Sequence, residues 1–323
     1  MSRASAKRVE DASLSVRAAW LHYAGGITQV EVARRLGISS ATASRLIASA
    51  HESGAVKVSI IGGVAECIAL EARVMKRFGL DGCEVVPDLD QEKLPLRALG
   101  EAGSRFLQKT IAEGDATLMG LGHGRTLAAA IDAMPAVDAG SMRFVSLLGG
   151  VTRNFAANPH DVMFRLARKT SAASYILPVP FFANTEQDRT VLLSQRGVRD
   201  VYDLALSAEL MVVGIGTAQP DAQLVASQMI EAEEIAEVRR AGGVGELLGH
   251  FFDASGGAVA TSLSGRTISP DLAHLKGRRV VALAGGREKV DAIRSVLMSG
   301  YVTSLIVDER TAGALLEGEG TQG

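Results

Sequence analysis

Arg45 and the hydroxyls of Ser40, Thr42 and Ser44 share a short stretch whose apolar positions, Ala43, Leu46, Ile47 and Ala50, recur at i, i+3, i+4 and i+7. Arginine can bind guanine through two hydrogen bonds, and short hydroxyls reach bases or phosphates. The chemistry on offer is therefore major-groove reading of double-stranded DNA. A second set of residues lies far downstream, in Gly122-His123-Gly124-Arg125-Thr126 and Gly285-Gly286-Arg287-Glu288-Lys289. Glycines there let backbone N–H groups approach a ligand, and a cation and a helix start follow, a combination that can cradle an anion. Glycines after strands are also ordinary βα turns. What favours an anion site is that both loops end in a cation.

The elements that must position the first set are legible. Thr28 and Glu31 form a Thr-x-x-Glu capping box with Ile27 and Val32 as its hydrophobic staple, which predicts a helix over Gln29–Leu36. Gly37 supplies the left-handed turn, Ile38 plugs the corner, and Ser39 or Ser40 caps the next helix. Together these describe a helix-turn-helix with Thr28, Gln29, Ser39, Ser40, Thr42, Ser44 and Arg45 as candidate DNA contacts. A preceding helix carries Val16, Ala19, Trp20 and Tyr23 at helical spacing before Gly25-Gly26 ends it, so Trp20, the only tryptophan, is expected in the core. The bland alternative is a helical pair packed on a larger domain. The coincidence of capping box, turn glycine and polar face argues against it.

A chain of 323 residues is too long for one small core. We divide it into residues 1–62, the helix-turn-helix domain, and 63–323, a larger α/β domain. The head carries eight Lys/Arg against four acids and the remainder 26 against 32, a basic head on an acidic body that suits phosphate contacts at one end. Apolar runs are strand-sized, well under the roughly 20 residues that span a bilayer, and Met1 to Glu10 lacks the apolar core of a secretory signal. Cys67 and Cys83 make no disulfide framework, and no Cys/His spacing suits a metal. A cytoplasmic protein with no membrane partner, metal or cofactor is expected.

Beyond a short strand or ribbon expected over 55–61 and a linker helix at about 65–78, apolar strands alternate with helices. The strands fall at Cys83–Val86, Thr117–Leu121, Arg143–Leu148, Ser174–Leu177, Leu210–Ile215, Val280–Ala284 and Leu305–Val307. This alternation predicts a doubly wound, mainly parallel α/β sheet, in which ligands bind beyond the carboxyl ends of the strands. The loops there give the candidate effector residues Gly122, His123, Gly124, Arg125, Thr126, Gly149, Gly150, Gly214, Gly286 and Lys289. Asp253 joins them as an acceptor for a sugar hydroxyl, or else forms a turn. His123 likewise either bonds an effector hydroxyl or is structural.

These residues, in this order, resemble the SorC family of bacterial sugar-responsive transcriptional regulators, whose second domain is related to sugar-phosphate isomerases. The likeness runs from about Val16 to Leu316 and rests on Leu21-His22-Tyr23, Thr28-Gln29, Leu36-Gly37, Ala43-Ser44-Arg45-Leu46, the Gly122 loop, Leu147-Leu148-Gly149-Gly150, Leu177-Pro178-Val179-Pro180, Gly214-Ile215-Gly216, Gly243-Val244-Gly245-Glu246, Phe251-Phe252-Asp253, the Gly285 loop and Val307-Asp308-Glu309. The resemblance implies a homo-oligomer, commonly a tetramer, that binds operator DNA through its heads, often as a repressor. It also implies that a small sugar phosphate or polyol, held at the Gly122–Thr126 loop and Lys289, alters that binding. The family's first loop often reads Ser-Trp-Gly where this chain has Gly122-His123-Gly124, which leaves the effector open. The overall character is that of regulators of polyol breakdown, erythritol among them. Two alternatives remain: an isomerase- or deaminase-like enzyme with a fused DNA-binding head, for which Glu209, Asp253 and Asp308 are available carboxylates, and an architectural DNA binder with a dead pocket.

Overall fold

A computed structural model describes residues 3–56, 65–89, 94–151 and 162–317. The chain separates into two compact units, Met1–Gly63 and Val64–Gly323.

In the first unit, helices α1 (Arg3–Tyr23), α2 (Gln29–Leu36) and α3 (Ser40–Glu52) enclose a small core of Ala18, Leu21, Val32, Ala33, Ala43, Leu46 and Ile47. The capping box forms as its sequence requires: Glu31 N–H donates to Thr28 Oγ1 at 3.3 Å and Thr28 N–H to the Glu31 carboxylate at 2.9 Å. The Glu31 carboxylate accepts from both Thr28 N–H and Thr28 Oγ1, and these two bonds hold its carboxyl below its ordinary value. Gly37 turns the chain at φ 67°, and Ser39, the residue before α3, caps it by accepting from Thr42 N–H at 3.2 Å. Trp20 departs from expectation, being 63% exposed together with Val16 and Tyr23. The inward face of α1 is Ser15, Ala18 and Ala19, whose small side chains let α3 pack closely and turn the indole outward. Of the ribbon expected over 55–61, only Ala55 and Val56 are described, and neither is a strand.

In the second unit, a linker helix α4 (Ala65–Phe78) precedes an α/β succession: β1 (Gly82–Val86), α5 (Leu96–Glu113), β2 (Leu118–Leu121), α6 (Arg125–Ala133), β3 (Arg143–Val151), α7 (Met163–Thr170) and β4 (Ser174–Pro180). Helices α8 (Glu186–Ser194) and α9 (Arg196–Leu206) lead to β5 (Leu210–Val213). An excursion follows through β6 (Gly216–Thr217), α10 (Gln223–Ala226), α11 (Ala232–Arg240), β7 (Gly245–Leu247), β8 (His250–Phe252), β9 (Ala258–Val259) and α12 (Leu272–Leu275). The chain then returns through β10 (Arg279–Leu283), α13 (Val290–Met298), β11 (Ser304–Asp308) and α14 (Glu309–Leu316). All seven expected strands enter one parallel sheet of order β1-β11-β10-β5-β2-β3-β4.

Side chains alternate across that sheet, and both faces are covered. Leu118, Val145, Met211, Val213, Val280 and Leu305 enter one core, while Met119, Phe144, Leu210, Val212, Val281 and Ile306 enter the other. Two-sided burial is why these strands read as continuous apolar runs. β4 continues past its expected end at Leu177 because it is an edge strand, where Pro178 and Pro180 break no central ladder. The second sheet, antiparallel β6-β7-β8-β9, was not expected, because strands two or three residues long are too short to show an alternating pattern.

Gly149 lies within β3, where an added Cβ would sit 2.3 Å from Pro180 O and 2.5 Å from Val179 O. Gly149→Ala is expected to cost about 1–3 kcal/mol, as overpacking of a closed interior does, seen as a lowered urea midpoint.

Candidate functional site

The α3 face opposite the core carries Ser40, Ser44 and Arg45, all exposed, as are Thr28 and Gln29 at the start of α2. Some hydroxyls on this side already have work. Thr28 Oγ1 donates to Glu31, and Ser39 Oγ shares a 2.8 Å hydrogen bond with Thr42 Oγ1, which leaves Thr42 half-buried. Arg45, Ser44 and Ser40 are thus the groups best placed to meet a groove.

In the second unit a pocket opens at the carboxyl ends of the central strands β2 and β5. It is lined by Gly122, His123, Gly124, Arg125 and Thr126 after β2, by Gly214 to Thr217 where the chain leaves β5, and by Glu246, Leu248 and Lys289. Its location follows the rule for doubly wound sheets, since loops and a helix start diverge there. Gly124, at φ 124°, precedes α6, so that helix presents its first N–H groups to the cavity. His123 packs edge-on against Phe181, ring centroids 5.4 Å apart, which holds its imidazole in the wall.

Two ionisable groups set the electrostatics. Lys289 Nζ donates to Ile215 O at 2.7 Å, and burial lowers its ammonium to about 8, with Arg125 adding repulsion and Glu246 pulling the other way. Glu246, buried on β7, accepts from Gly249 N–H at 2.5 Å. Burial raises its carboxyl to about 7, opposed by that hydrogen bond and by Lys289. Its other oxygen lies against Gly216, where a Cβ would come within 2.1 Å. A side chain at Gly216 would have to displace that carboxylate.

The pocket unites Gly122, His123, Gly124, Arg125, Thr126, Gly214 and Lys289 from the sequence reading. It does not include four others. Gly149 and Gly150 lie inside β3, which runs on to Val151, and Gly149 pairs with Leu177. Asp253 is the turn-former: its carboxylate accepts from Ser255 N, Ser255 Oγ and Gly257 N, which hold it below its ordinary value. Gly286 is buried behind the pocket, its N–H donating to Asp308 Oδ2 and Thr311 Oγ1. The candidate effector residues did not include Thr217, Gln223 and Glu246, which also line the pocket. Glu246 stands in the Gly243-Val244-Gly245-Glu246 run of the resemblance, and a carboxylate set in the apolar run Gly245-Glu246-Leu247-Leu248 was a further cue.

The three carboxylates that the sequence offered for an enzyme are engaged elsewhere. Glu209 binds Thr117 through N–H and hydroxyl, Asp253 holds its turn, and buried Asp308 caps α14. Among the described residues, no group of His, Cys, Asp and Glu is arranged to hold a metal.

A helix-turn-helix in one unit and, in the α/β unit, a pocket lined by convergent charged groups define a ligand-responsive DNA-binding protein. Residues 63–317 match the Sugar-bind family model, described as "Putative sugar-binding domain". The chain is 58% identical over 306 residues to the erythritol catabolism regulatory protein EryD of Brucella abortus (strain 2308), covering 95% of this chain and 97% of that one. It is 31% identical over 306 residues to the transcriptional regulator LsrR of Escherichia coli (strain K12), covering 93% of each. The full-length sorbitol operon regulator SorC of Klebsiella pneumoniae superposes with a TM-score of 0.72 at 25% identity, over 94% of this chain and 98% of that one. The chain belongs to the SorC family of sugar-responsive transcriptional regulators. It is a regulator, not an enzyme, as are these relatives.

Proposed function

We propose that this regulator controls a polyol- or sugar-catabolic operon in the cytoplasm, as a repressor. Residues 1–62 bind operator DNA, with Arg45, Ser44 and Ser40 facing the groove. Residues 63–323 bind the effector and join copies into a homo-oligomer, a tetramer by family resemblance. The effector is a small polyol or its phosphate. EryD is named for erythritol catabolism and is 58% identical, so a four-carbon polyol is the first choice. The observation that carries this reading is the convergence of the α6 start, Arg125, Lys289 and Glu246 on one cavity, which offers donors and an acceptor to hydroxyls and positive charge to an anion. Control is linkage: an effector that prefers one arrangement of the oligomer shifts operator affinity by that difference, typically about 1–3 kcal/mol.

The test is thermal unfolding of the full chain with erythritol, erythritol phosphate, sorbitol and inorganic phosphate. A ligand that binds only the folded state raises the midpoint, by about 2.7 kcal/mol of stabilisation at a hundredfold excess over Kd. A midpoint raised by a polyol or its phosphate, and weakened operator binding with the same compound, is expected. Indifference to all of them would sink the assignment of the pocket.

A further inference from the structure

We infer that Asp308 is a positioning residue for the effector pocket: through the Gly286 turn it fixes where the Lys289 side chain enters. This rests on the pocket assigned above. The link is an unbroken series of hydrogen bonds. Asp308, buried at the end of β11, accepts from Thr311 N–H at 3.0 Å through Oδ1 and so caps α14. Its other oxygen accepts from Gly286 N–H at 3.1 Å, a donor shared with Thr311 Oγ1 at 2.8 Å. Gly286 O in turn accepts from Lys289 N–H at 2.9 Å, closing the single turn Arg287–Lys289, and Lys289 Nζ reaches Ile215 O.

Each link constrains the next. Gly286 stands at φ 102°, a conformation held by what its N–H and carbonyl bind. Gly285 leaves no slack, since a Cβ there would lie 2.2 Å from Asp308 Oδ2. Asp308 therefore grips the turn from behind while remaining outside the pocket lining. A cap for α14 needs one oxygen; the second is committed to the turn that carries Lys289.

Lys289 reports its own placement, because burial and the nearby Arg125 lower its ammonium, against the pull of Glu246, only while its side chain enters the pocket. The experiment measures the pH dependence of Lys289 acetylation by acetic anhydride, read by mass spectrometry, in the wild-type chain and in Asp308→Asn. Asparagine keeps an oxygen for Thr311 N–H but sets an amide donor against Gly286 N–H. The midpoint is expected to rise by about one unit or more toward the ordinary lysine value of about 10.4, with the stabilisation by erythritol or its phosphate reduced tenfold or more in apparent affinity. If Asp308→Asn fails to fold, Thr311→Val removes the second acceptor alone and gives a smaller rise, which Thr311→Ser reverses. A role confined to capping α14 lowers Tm and leaves the Lys289 midpoint in place, and that result in both variants would overturn the inference. A midpoint that moves when no ligand stabilises the wild type supports the positioning and defeats only the assignment of the effector.

Discussion

Arg45→Ala is expected to weaken operator binding by about 10- to 100-fold and to flatten its sequence preference, since a bidentate arginine–guanine contact is worth about 1–3 kcal/mol. The prediction follows from placement. Arg45 lies on the exposed face of α3, whose other face packs Ala43, Leu46 and Ile47 against α1 and α2, so alanine changes nothing in the core. Ser40 and Ser44 share the exposed face but bring short neutral hydroxyls, and their alanine variants should cost less. Fluorescence anisotropy on the operator and on a scrambled duplex at fixed salt separates two outcomes. Loss confined to the operator marks base reading. Equal loss on both, with a shallower salt dependence, would make Arg45 a phosphate contact instead. Thermal unfolding should stay within about 0.5 kcal/mol of wild type, as for other exposed positions.

Sequence reached the site unevenly, for physical reasons. The capping box, the Gly37 turn and the seven strands are local or periodic signals, and each carries its geometry in adjacent residues. The Gly122–Thr126 loop and Lys289 were readable because a cation follows a glycine turn in both. Trp20 misled because helical spacing fixes which residues share a face but not which face turns inward, and the small Ser15, Ala18 and Ala19 win the tight contact with α3. Glu246 escaped because its importance comes from elsewhere in the chain. It sits in a three-residue strand, and Gly216, Gly249 and Lys289 act on it from three separate segments. Gly149 and Asp253 were over-read by position: a glycine after a strand core and an aspartate in a loop can serve β3 packing and a turn as readily as a ligand.

Lys289→Met should remove the effector response by about 10- to 100-fold in effector affinity, the worth of a hydrogen bond to a charged group at about 1.5–3 kcal/mol, while effector-free operator affinity stays within about twofold. The pH dependence makes this prediction specific to the charge of the effector. Glu246 is raised from 4.5 to about 7, so folding takes up a proton between those values; its contribution to stability is present at acid pH and lost as pH rises through 7. Lys289 is lowered from 10.5 to about 8, so its contribution is present at alkaline pH and lost as pH falls through 8. Toward acid pH the pocket holds cationic Lys289 and Arg125 beside a neutral acid, and toward alkaline pH a carboxylate beside a neutral amine. A phosphorylated effector should therefore bind about tenfold or more weaker at pH 9 than at pH 7, whereas a free polyol, whose hydroxyls can donate to the carboxylate or accept from the amine, should vary far less. Calorimetric titration of erythritol and its phosphate across that range separates the two, and Lys289→Met should abolish the slope for the phosphate. A steep slope that survives in Lys289→Met would mean that some other group carries the anion.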